Sequence, residues 1–263
     1  MRNNADLISE SNVNPVTFHR SVTPPTYTQA TLSYKPTSLA DRLSILNQRI
    51  HDAEQRFGRV TGSVRLLAVG KTREAADLRV LASLGQKAFG ENYLQEARFK
   101  MAALEDLSLC WHYIGRIQSN KTAQLAAQFD WIHSIDRLEI AQRLSEQRPH
   151  DVEPLNLCLQ VNLDNETSKG GIPLPQVPQL AMEIAELPRL RLRGLMSVPR
   201  PETEFDAQRQ QFTRLRHSLE DLNPLGLHLD TLSMGMSHDM EAAIAEGATI
   251  IRIGTALFGP RQR

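Results

Sequence analysis

The sequence predicts an α/β protein: a single (β/α)8 TIM barrel preceded by an extra N-terminal helix. Three observations carry this expectation. Short apolar runs alternate strictly with amphipathic segments, the pattern of a parallel sheet whose crossovers are helices. Eight such units fit within about 200 residues, which favours a closed barrel over a doubly wound sheet. No GxGxxG follows any apolar run, which counts against a dinucleotide fold.

Residues 1–37 read as a disordered tail. They are rich in Ser, Thr, Asn and Pro, with Pro15, Pro24, Pro25 and Pro36 breaking any regular element. The barrel domain is expected over residues 38–263. Ser38 and Asp41 form a capping pair for a first helix, in which Leu39, Leu43, Leu46, Ile50 and Phe57 recur at helical spacing up to Gly58. Val64–Val69 then reads as a buried strand closed by Gly70, and Ala75–Leu84 as a helix ended by Gly85. The strand Lys87–Gly90 precedes the helix Leu94–Leu104, and Leu109–Ile114 precedes Lys121–Gln128. Trp131–Ile135 leads to the helix Leu138–Gln147, stopped by Pro149. Leu155–Leu163 is followed by Val177–Leu187, and Leu190–Val198 by the long helix Phe205–Leu222. Thr231–Met234 precedes Met240–Glu246, ended by Gly247. Thr249–Ile253 is the last strand, with no helix expected after it.

Composition narrows the function. The 30 basic and 30 acidic residues cancel, so no domain-wide field is available for nucleic acid or an anionic membrane. At 5% aromatic residues, a base-stacking surface is disfavoured. Cys110 and Cys158 lie in apolar runs and read as small packing residues, which fits a reducing cytoplasm. No apolar run has the roughly 18 residues of a membrane span. No metal site is expected.

In a barrel, chemistry gathers at the carboxyl ends of the strands. Lys71 follows the first strand directly. A lysine against an apolar strand end is expected to have a depressed pKa and can form a Schiff base as the neutral amine; the alternative is a solvated lysine at a loop edge. The second strand contributes Asn92, within Gly90-Glu91-Asn92-Tyr93. Barrel phosphate sites are usually built after the last two strands. There Ser233-x-Gly235-x-Ser237 offers two hydroxyls and an open backbone, with Ser237 placed to cap the following helix. Gly254 and Thr255 add a backbone amide and a further hydroxyl. Arg252 lies on an otherwise apolar strand and needs an acceptor, either a carboxylate in the barrel or a ring nitrogen of a ligand. Met196 and Met236 offer flat, polarizable packing for a ring or are plain core. An amine, a phosphate nest and an arginine together point to pyridoxal 5′-phosphate, held as a Schiff base on Lys71.

The segments Lys71-Thr72, Phe89-Gly90-Glu91-Asn92-Tyr93, Trp111-His112-Tyr113-Ile114-Gly115, Gln118-Ser119-Asn120-Lys121, Gly194-Leu195-Met196, Leu232 through Ala243 and Arg252 through Gly259 resemble the pyridoxal phosphate homeostasis protein family. The resemblance runs from about residue 38 to residue 261. It implies a barrel of the alanine racemase N-terminal type, a lysine corresponding to Lys71 as the cofactor's anchor, and a role in carrying or buffering the cofactor inside the cell rather than an established reaction. It also implies apo pyridoxal enzymes as recipients and a monomer or weak homodimer. Arg116 and Gly170-Gly171 depart from relatives. The alternative is an amino-acid racemase, which needs a second base. Racemases draw that base, a tyrosine, from a second domain of the partner subunit; no such domain is expected after Phe258, and only Tyr93 and Tyr113 fall in the predicted barrel. A charged donor such as Arg252 would also weaken the ring as an electron sink. A cofactor-free Schiff-base aldolase is the remaining reading. Lys169, in the loop after the fifth strand, is either a solvated lysine or a group that draws the cofactor outward during release.

Overall fold

A computed structural model describes residues 38–164, 166 and 169–260; the expected tail, residues 1–37, lies outside them. Helix α1 (Leu39–Arg56) opens with the predicted capping box. Ser38 Oγ accepts from the Asp41 backbone N–H and the Asp41 carboxylate accepts from that of Ser38, both at 3.1 Å. The helix buries Leu43, Leu46, Ile50 and Ala53, and also Glu54. Glu54 is buried because its carboxylate accepts from the backbone of Gly62 at 2.9 Å and Val64 at 2.8 Å, tying α1 to the start of the sheet.

Eight parallel strands close on themselves: β1 (Arg65–Val69), β2 (Ala88–Glu91), β3 (Cys110–Tyr113), β4 (Trp131–Ile135), β5 (Leu155–Val161), β6 (Leu190–Ser197), β7 (Thr231–Ser233) and β8 (Ile250–Ile253), with β8 pairing back onto β1. The crossovers are α2 (Ala75–Ser83), α3 (Leu94–Ala103), α4 (Thr122–Gln128), α5 (Leu138–Gln147), α6 (Val177–Ala185), α7 (Phe205–Glu220) and α8 (Met240–Ala245). This is the predicted (β/α)8 barrel with its extra N-terminal helix.

Some details differ from expectation. A final one-turn helix, α9 (Thr255–Phe258), follows β8. Four residues carry no readable period, and burial of Leu257 and Phe258 holds it in place. Gly259, at φ 83°, ends it. The third crossover begins with a 3-10 turn, Ser119–Lys121. The fifth strand stops at Val161 rather than Leu163, and the fifth crossover helix, α6, at Ala185 rather than Leu187.

Two apolar layers result. The larger lies between sheet and helices. Inside the barrel Leu67, Trp131, Cys158, Met196 and Ile250 pack together. Arg65 and Arg193 lie over the Trp131 ring, at 5.4 and 4.9 Å, and close the barrel at the amino ends of its strands. Both cysteines are free, and burial pushes each thiol up to about 12. Strands β6 and β7 approach so closely at Gly194 that an added Cβ would stand 1.8 Å from the Thr231 carbonyl oxygen. Among the described residues no helix is long and apolar enough to cross a membrane, and no group of three or more His, Cys, Asp or Glu side chains could hold a metal ion.

Candidate functional site

The carboxyl ends of the strands surround a cavity of about 400 Å³. Eight of the residues expected from the sequence line it: Lys71, Asn92, Met196, Met236, Ser237, Arg252, Gly254 and Thr255. Val69 and Ile114 supply apolar wall, and Val198 and His238 complete it.

Lys71 sits in a turn between β1 and α2. The next residue, Thr72, adopts φ 62°, a left-handed conformation costly for a β-branched side chain. Behind the turn lies Lys100 of α3, only 2% exposed. Its Nζ donates to the Gly70 carbonyl at 2.6 Å, to Glu91 at 2.8 Å and to Glu96 at 2.5 Å. Glu96 also accepts from the Thr72 backbone N–H at 2.5 Å. Burial pushes the Glu91 carboxyl up to about 7, against the pull of Lys100 and Lys71. Lys100 was absent from the expected site, although Leu94, Ala97, Lys100 and Leu104 fall on one helical face and so mark a lysine in an apolar stripe.

Arg252 is buried, and its acceptors are neutral. NH1 donates to the Ser233 carbonyl at 2.5 Å and the Ser233 hydroxyl at 2.9 Å, and NH2 to the Ser197 carbonyl at 2.8 Å. Burial lowers its pKa to about 10, so it stays charged at neutral pH. Of the two acceptors left open by the sequence, no carboxylate forms an ion pair with it among the described residues.

Two expected phosphate ligands are placed elsewhere. Ser233 is fully buried inside the barrel, in register with Met196 and Ile250 of the inner layer. Its hydroxyl is taken up by Arg252 and by His133 Nδ1 at 2.8 Å. His133 Nε2 in turn meets His112 Nδ1 at 2.9 Å, and His112 Nε2 meets Cys110 Sγ at 3.3 Å. Burial holds His112 down to about 3 and His133 well below the usual histidine range, so both rings are neutral. Gly235, at φ 93°, is also outside the cavity wall. A Cβ there would stand 2.6 Å from the Ala243 Cβ, so the glycine is required by the packing of α8.

Ser237 lines the cavity but does not cap α8, whose N-cap is Asp239. The Ser237 hydroxyl accepts from the Ala256 backbone N–H at 3.2 Å and so joins the loop after β7 to α9. The last two strand ends are thereby brought side by side. Asn92 contributes a buried Oδ1 with no hydrogen-bond partner. Neither Tyr93 nor Tyr113 lines the cavity; Tyr113 donates its hydroxyl to the Arg116 carbonyl at 3.1 Å. Lys169 pairs with Glu166 at 2.9 Å in its own loop. There Gly171 lies against the backbone of β5, a Cβ falling 2.9 Å from the Asn162 nitrogen, so close approach rather than mobility explains that glycine.

Barrel, lysine at the first strand end and arginine on the eighth strand define a class: single barrels of the alanine racemase N-terminal type. The alanine racemase N-terminal domain family matches residues 43–262. The chain is 56% identical over 224 residues to the pyridoxal phosphate homeostasis protein of Pseudomonas aeruginosa, covering 85% of this chain and 96% of that one. It is 46% identical over 226 residues to the protein of the same name from Escherichia coli K12, covering 85% and 97%. The chain belongs to the pyridoxal phosphate homeostasis protein family. PipY of Synechococcus elongatus, solved with pyridoxal phosphate bound, superposes with a TM-score of 0.73 at 37% identity, covering 84% of this chain and 100% of PipY. Alanine racemase of Corynebacterium glutamicum, at 17% identity and TM-score 0.63, shares the fold.

Proposed function

We propose that the barrel from residue 38 onward binds pyridoxal 5′-phosphate and buffers it in the cytoplasm for delivery to apo-enzymes, as a monomer or weak homodimer. The observation that carries this reading is one cavity lined by a primary amine, a guanidinium, two thioethers and a hydroxyl-bearing wall from the last two strand ends. The fit is chemical as well as steric, because Asn92 Oδ1 is buried there with no partner, a cost that a ligand donor removes. When bound, the cofactor supplies an aldehyde for a primary amine and a phosphate dianion. Lys71 is the amine. Ser237, Thr255 and the Gly254 backbone hold the anion, while Met196 and Met236 pack on the ring. Arg252 faces the ring nitrogen as a donor that cannot take up its proton.

Borohydride reduction of the loaded protein, followed by peptide mapping, is expected to fix one pyridoxyl group on the peptide that carries Lys71. Label confined to other lysines would overturn the reading. The racemase alternative requires a tyrosine opposite the amine, and among the described residues neither Tyr93 nor Tyr113 lines the cavity. Ser237→Ala is expected to weaken retention of pyridoxal 5′-phosphate and leave pyridoxal unaffected. A charge-assisted hydrogen bond is worth roughly 1.5–3 kcal/mol before water compensates. Dialysis of both ligands from the variant measures the difference.

A further inference from the structure

We propose that Lys100 and Glu96 are positioning residues: they clamp the peptide units on either side of Lys71 and aim its amine for bond formation. The inference rests on the reading of Lys71 as the cofactor's amine and deepens it.

The peptide unit before Lys71 is held through the Gly70 carbonyl, which accepts from Lys100 Nζ at 2.6 Å and from the Arg73 backbone N–H at 3.0 Å. The unit after it is held through the Thr72 N–H, which donates to Glu96. Lys100 and Glu96 also bond each other at 2.5 Å, one helical turn apart on α3. The Lys71 Cα is therefore gripped from both sides by a single rigid helix. Thr72, at φ 62°, occupies a conformation that persists only when its surroundings over-determine it. Burying a lysine at 2% exposure is a poor way to stabilise a fold, since well-packed apolar side chains of similar volume commonly do as well. It is a good way to fix a carbonyl, and all three Nζ donors are used here. Glu91 completes the cluster from the end of β2. The residues assigned to the anion come from the loop after β7 and from the end of β8, so the clamp acts on the amine and leaves the phosphate contacts alone.

The step it serves is condensation. The neutral Lys71 amine adds to the aldehyde carbon, the carbinol nitrogen loses its proton, and water leaves. One C=N bond replaces the C=O bond, with no change of oxidation state.

The test separates the two ends of the ligand. Pyridoxal carries the aldehyde without phosphate; pyridoxine 5′-phosphate carries phosphate without aldehyde. Glu96 keeps 27% of its side chain exposed, so Glu96→Ala and Glu96→Gln are expected to fold. Glu96→Ala is expected to lower the equilibrium constant for C=N formation with pyridoxal roughly tenfold, as misalignment of a reacting group does. Glu96→Gln, whose side-chain oxygen still accepts from Thr72, is expected to restore most of it. The double variant Lys100→Met/Glu91→Gln, which leaves no buried carboxylate unpaired at residue 91, is expected to behave like Glu96→Ala. Affinity for pyridoxine 5′-phosphate is expected to stay unchanged in all three. Equal losses for both ligands, or an unaltered pyridoxal equilibrium in Glu96→Ala, would overturn the proposal. If the double variant does not fold, the Glu96 pair decides. Wild-type protein that forms no C=N bond with pyridoxal 5′-phosphate would instead refute the underlying assignment of Lys71.

Discussion

Lys71→Ala is expected to abolish covalent capture of pyridoxal 5′-phosphate while leaving the barrel folded. The residue follows β1 in a turn and is only half-buried, so truncation opens no hole in either apolar layer. The internal absorbance of the bound aldehyde should vanish, and borohydride should fix no label. Residual reversible binding should persist through the contacts to the anion. Lys71→Arg should behave like the alanine variant, because a guanidinium stays protonated and cannot condense. Absorbance titration with each variant, beside circular dichroism as the check on folding, measures both claims. An alanine variant with wild-type absorbance would show that another amine holds the ligand.

Gly194→Ala is expected to be among the most damaging single substitutions outside the cavity. Its Cβ would lie 1.8 Å from the Thr231 oxygen and 2.7 Å from the Thr231 carbonyl carbon, both backbone atoms that cannot rotate away. Strands β6 and β7 must separate at the point where Gly194 pairs with Thr231. On the other side, Gly194 pairs with Cys158 where the register of β5 and β6 already shifts, so little slack remains. The loss should reach about 3 kcal/mol or more, or roughly 6 °C or more in melting temperature for a domain of this size. Gly254→Ala is the contrast: its Cβ would meet nothing closer than 3.6 Å, and its melting temperature should stay within about 2 °C of wild type. Thermal unfolding of the two variants side by side tests the claim.

The fold was legible because its signals are periodic. Apolar runs and amphipathic helices alternate eight times, and the boundaries fall at Gly70, Gly85 and Gly247, as expected for chain stops. The cavity was legible for a related reason: in a parallel barrel every strand end points to one face, so Lys71, Asn92, Arg252 and Gly254 meet without any long-range information. Side-chain direction on a short strand was harder to read. Strand β7 has only three residues, too few for alternation to say that Ser233 faces inward while Ser237, beyond the strand, reaches the cavity. Gly235 shows a second limit, since a glycine demanded by helix packing and one left open for an anion look alike in sequence. Lys100 shows a third. A lysine buried by two carboxylates differs from a solvated one only through partners that the fold brings together, although its place on an apolar face was a readable hint.

The line of hydrogen bonds from Arg252 to Cys110 bears on how the barrel is braced. A guanidinium only donates, so the Ser233 hydroxyl accepts from Arg252, and His133 Nδ1 is its second partner. His133 Nε2 in turn meets His112 Nδ1, and His112 Nε2 meets the Cys110 sulfur. The string runs from the mouth of the barrel toward its floor. Ser233 on β7 and His133 on β4 are not neighbours in the sheet, so this string braces the barrel across its interior as well as around its wall.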